Sequence, residues 1–76
     1  MENSKLIETI EKLENKAKNL EQSKSTGNLQ QIARAYFNAG ILSERVGLKE
    51  KAQLNYANAS RYVLELAKDV YAGAFQ

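Results

Sequence analysis

Cysteine, histidine and proline are all missing from this chain, and each absence removes a class of explanation. Without Cys there are no disulfides and no thiolate ligands. Without His the commonest metal ligand and the usual general base near neutral pH are gone, so neither a metal site nor a cofactor is expected. Without Pro nothing breaks a helix outright, and the four glycines, at 27, 40, 47 and 73, act as punctuation. No apolar run approaches the ~20 residues of a membrane span. The N-terminal Met1-Glu2-Asn3-Ser4-Lys5 lacks the apolar core and cleavage site of a signal peptide. A cytoplasmic location with no membrane partner is therefore expected.

What is present is ordinary for a globular chain. Apolar residues make up 43% and charged ones 26%, which leaves enough apolar side chains for one core. Seventy-six residues make one domain at most, and a chain this short is marginal as a monomer. With disulfides and metals excluded, oligomerisation is the remaining way to add buried area. The net charge of +2 leans only weakly towards anionic partners.

The first helix is expected from about residue 4 to 24. Leu6, Ile10, Leu13, Ala17 and Leu20 recur at steps of 4, 3, 4 and 3, a narrow seam of the coiled-coil kind, with Ile7 widening one side. Residues 1–24 hold five Lys and five Glu, and Glu8–Lys12 and Glu14–Lys18 stand in the favourable i,i+4 order. These charges read as a solvated, ion-paired face. The break follows at residues 23–28, where Gly27 offers a left-handed stop. Asn28 suits the N-cap of the next helix, with Gln31 as a weak capping-box partner.

The second helix, about 29–46, is apolar over more than half its circumference, as expected of a central helix. Leu29, Ile32, Ala33, Tyr36, Gly40 and Ser43 form one stripe, with Phe37, Ile41 and Leu42 beside it. A mid-helix Gly40 calls for a neighbouring helix that approaches closely. Gly47 ends this helix. The third, about 49–71, carries Ala52, Tyr56, Ala59, Val63, Leu66 and Val70 at steps of 4, 3, 4, 3 and 4. Leu54, Tyr62, Leu64 and Tyr71 fall off that seam and suggest a second contact surface. Phe75, in the C-terminal tail, is a candidate to fold back onto the core. The expectation is an all-α, antiparallel three-helix bundle.

An internal repeat is visible at an offset of 20 residues, where Gly27, Tyr36, Asn38 and Ala39 fall on Gly47, Tyr56, Asn58 and Ala59, and Gly40 on Ser60. Over residues 33–64 the spacing resembles one tetratricopeptide repeat. Tyr36 stands at the first aromatic, Ala39-Gly40 at the Leu-Gly pair and Gly47 at the turn. Ala52, Tyr56 and Ala59 stand at the distant Ala, the later aromatic and the last Ala. Ser43 replaces the second aromatic of the pattern, and Leu64 replaces its terminating proline. Gly47-Leu48-Lys49-Glu50-Lys51-Ala52, followed by Tyr56 and Ala59, is also similar to part of a microtubule-interacting-and-transport domain. That family places a third helix after the point where this sequence ends.

The resemblance to tetratricopeptide repeats implies a helical hairpin that binds protein rather than a catalyst. The first helix of such a repeat lines the concave groove, which here assigns partner binding to Arg34, Phe37, Asn38, Ile41 and Arg45. Phe37 and Ile41 supply apolar area, and the arginines can clamp a carboxylate through two hydrogen bonds. The opposite arrangement, in which the first helix covers this face and Phe37 and Ile41 are core, is slightly favoured, because one repeat makes no real groove. No catalytic constellation is visible, and no phosphate-binding loop occurs, so neither an enzyme nor a small-molecule substrate is expected. Glu44 and Glu50 flank the Gly47 turn as a solvated loop. The expected role is a non-enzymatic protein-interaction or assembly module, self-associating as a homodimer through the first and third helices. The alternative is a small nucleic-acid-binding protein using Arg34, Arg45, Lys49, Lys51, Arg61 and Lys68, although four acids are interspersed among these six cations.

Overall fold

A computed structural model of the chain describes the backbone of residues 2–23 and 28–74, and the side chains of 3–23 and 28–68. Gly27 and Phe75, and the side chains of Val70 and Tyr71, lie outside the described residues. Three helices follow one another: α1 Glu2–Gln22, α2 Leu29–Arg45 and α3 Lys49–Ala74. They form an antiparallel bundle in which α2 packs against both neighbours, while α1 and α3 meet mainly through side chains. The result is a slab of 53 × 23 × 14 Å, three helices abreast. No described helix is long and apolar enough to cross a membrane.

The ends of the helices are set by local chemistry. At the end of α1 the Ser23 hydroxyl donates to the Leu20 carbonyl at 2.7 Å, satisfying an acceptor that the helix leaves open. Asn28 does not cap α2 as its identity suggests. Its backbone is already in the right-handed helical region (φ −91°, ψ −4°), whereas a capping side chain needs an extended one. Its amide donates instead to Ser23 Oγ at 2.7 Å, tying the two helix ends together. The end of α2 is a Schellman turn. Leu48 N–H donates to Ser43 O at 2.9 Å and Gly47 N–H to Glu44 O at 3.1 Å. This requires a left-handed residue, supplied by Gly47 at φ 82°.

The core is built from small side chains. Among the described residues nine hydrophobic ones are buried, and six of them are alanines: Ala17, Ala33, Ala35, Ala39, Ala52 and Ala59. The other three are Ile10, Ile32 and Tyr36. Ser43 is wholly buried as well, its hydroxyl folded back onto the Ala39 carbonyl at 2.7 Å. The α1 seam faces inward, with Ile10 and Ala17 fully buried and Leu6, Leu13 and Leu20 half-buried.

On α3 the inward stripe is not the apolar one. Residues 52, 55, 59, 62 and 66 face the bundle, so Asn55 is 3% exposed while Val63 is 54% exposed. A helix turned to bury the most apolar residues would have placed Val63 inside and Asn55 outside. Polar links to α1 turn it the other way.

Gly40 explains how closely α2 and α3 approach. The Tyr56 ring lies against it, and a methyl group built at position 40 would sit 2.7 Å from Tyr56 Cε1 and 2.8 Å from Cδ1. Phe37 holds the other side of that ring, its centroid 5.6 Å away at 51°. Substituting Gly40→Ala restores about 1 kcal/mol of helix propensity but overpacks the contact, which typically costs ~1–3 kcal/mol. Thermal melts should therefore rank wild type above Gly40→Ala and Gly40→Leu lowest. Placing Gly40→Ala in a Tyr56→Leu background should remove the penalty. A Gly40→Ala variant that melts above wild type contradicts this packing.

Candidate interaction surface

The site residues are best approached from the polar links, because these decide which face of the α2–α3 hairpin stays open. Glu14 and Glu21, seven residues apart on α1, share one side of that helix. Glu14 accepts from the buried Asn55 amide at 2.9 Å and from Lys51 Nζ at 3.4 Å. Glu21 accepts from the Tyr36 hydroxyl at 2.8 Å and from the Tyr62 hydroxyl. Glu14 and Glu21 thus track Asn55 and Tyr62 along α3, and α1 runs parallel to α3 on one side of the hairpin. Glu14 pairs with Lys51 of α3 and not with Lys18 of its own helix. Among the described residues the other ion pair is Lys68–Glu65 at 3.7 Å.

The two phenols stack, with centroids 6.3 Å apart and planes 11° from parallel. Burial, then hydrogen bonding to the Glu21 carboxylate, pushes the Tyr36 hydroxyl well above its ordinary value and Tyr62 in the same direction. Arg61, 6.0 Å from the Tyr62 ring centroid, works weakly against the rise. A cleft of ≈ 460 Å³ runs between α1 and α3, and Glu14, Lys51, Asn55 and Tyr36 are among the residues that line it. Glu14, Lys51 and Asn55 already satisfy one another there, and the Tyr36 hydroxyl is taken up by Glu21.

The opposite face of the hairpin carries no helix. An open groove of ≈ 940 Å³ lies there, floored by Ala33 and Ala59 and walled by Phe37, Tyr56 and Val63, with Arg34 on its edge. Phe37 is 51% exposed and Leu64, also on the groove, 61%. Hydrogen bonding to the Glu44 carboxylate, then burial, raises the Tyr56 phenol.

The five residues assigned to partner binding stand along the outward stripe of α2. Arg34 and Phe37 line the groove, Ile41 is half-buried, and Asn38 and Arg45 are exposed. The first helix does not cover this face. Sequence reasoning did not identify Val63 as an exposed groove wall, because apolar spacing assigns it to the core. It also missed Asn55 and the Glu21 phenol pair, since nothing in a single polar residue indicates that another helix brings it a partner. The exposed apolar residues lie mainly on α2 and α3: Phe37, Leu54, Val63 and Leu64, against Ile7 alone on α1, with Leu48 in the turn. No protein family, curated protein or solved structure matches this chain.

The phenol pair makes stability fall at high pH. A phenol whose folded-state pKa is raised holds its proton after the unfolded chain has lost it, so folding stability is complete below about pH 10 and declines above it. Denaturant titrations from pH 8 to 11.5 should show this decline, and Tyr36→Phe should flatten it. Glu21→Ala leaves the Tyr36 hydroxyl without its acceptor and should cost about 1–3 kcal/mol at pH 7. An unchanged midpoint for Glu21→Ala would show that α1 is not held through this carboxylate.

Proposed function

We propose that this chain is a non-enzymatic protein-interaction module that works by self-association, with the open face of the α2–α3 hairpin as its docking surface. The observation that carries the reading is an inversion of the usual sorting of side chains. Among the described residues six large hydrophobics are exposed, whereas the buried hydrophobics are mostly alanine. Burying an alanine methyl yields about 0.8 kcal/mol against ~1.5–3 for a Leu or Phe side chain, so substantial apolar area stays outside the monomer. Contiguous exposed apolar surface on a small domain marks an interaction site.

The tetratricopeptide-like reading of residues 33–64 draws support from the Gly40–Tyr56 contact and the burial of Ala39, Ala52 and Ala59. Such a hairpin presents its first helix to a partner, and a single repeat lacks the neighbours that complete a groove. A second copy supplies them. Nucleic-acid binding draws less support: Lys51 and Lys68 face carboxylates and Arg61 lies over Tyr62, so three of the six cations are already engaged. The cytoplasm, where a cysteine-free module needs no oxidising partner, is the proposed location.

Self-association makes the melting temperature depend on concentration. Circular dichroism melts at concentrations roughly hundredfold apart should differ by several degrees, and sedimentation velocity should show growth beyond the monomer over the same range. Identical melts, together with a monomer at the higher concentration, would remove the proposal.

A further inference from the structure

We draw no further inference here: the strongest candidate, the open apolar groove between α2 and α3 walled by Phe37, Tyr56 and Val63, belongs to the surface already described, and nothing in the structure shows how an occupant sits in it.

Discussion

The contact between Gly40 and the Tyr56 ring sets how closely α2 and α3 approach, and much of the molecule follows from that separation. With no side chain at position 40, an aromatic ring from α3 rests directly on the α2 backbone. The residues between the two helices must then be small, which is why Ala33, Ala39, Ala52 and Ala59 occupy the buried positions. A seam of methyl groups packs densely but removes little apolar area from water. Larger residues cannot enter it, so Phe37, Val63 and Leu64 stand at its rim. The close approach that stabilises the hairpin is therefore also what leaves an apolar face outside it.

α1 is attached by different chemistry. Its apolar seam covers one side of α2, but its position along and around the hairpin is set by two carboxylates. Glu14 accepts from a buried amide and a lysine, and Glu21 from two stacked phenols. Such buried polar links cost more to break than they contribute when made. They specify a register more than they add stability. By holding Asn55 and Tyr62 towards α1 they rotate α3, and this rotation carries Val63 out of the core and into the groove wall.

The helices and their order were legible in the sequence because glycine spacing and apolar period are local signals. Gly47 predicted the turn, and Gly40 predicted a close neighbour. The facing of α3 was not legible. Its apolar stripe and its buried stripe differ by one position at 55/56 and 62/63, and the choice between them depends on Glu14 and Glu21, more than thirty residues away in the chain. Local pairing rules failed for the same reason: Glu14 has Lys18 one turn along its own helix, yet it pairs with Lys51 brought to it by the fold. Asn28 had the right identity for a cap, but its backbone is already helical and its amide serves Ser23 instead. The openness of the Phe37 face depended on where α1 docks, which no residue of α2 reveals.

The claim on which this account turns is that the Phe37 face of the α2–α3 hairpin, open in one copy, is covered by a second copy. The most direct measurement is isotope-filtered NMR on a mixture of labelled and unlabelled chains, which detects only contacts between copies. The account predicts intermolecular cross-peaks from the Phe37, Val63 and Leu64 side chains that border the groove. A dimeric sample whose intermolecular cross-peaks fall elsewhere, or a sample that shows none, would contradict it.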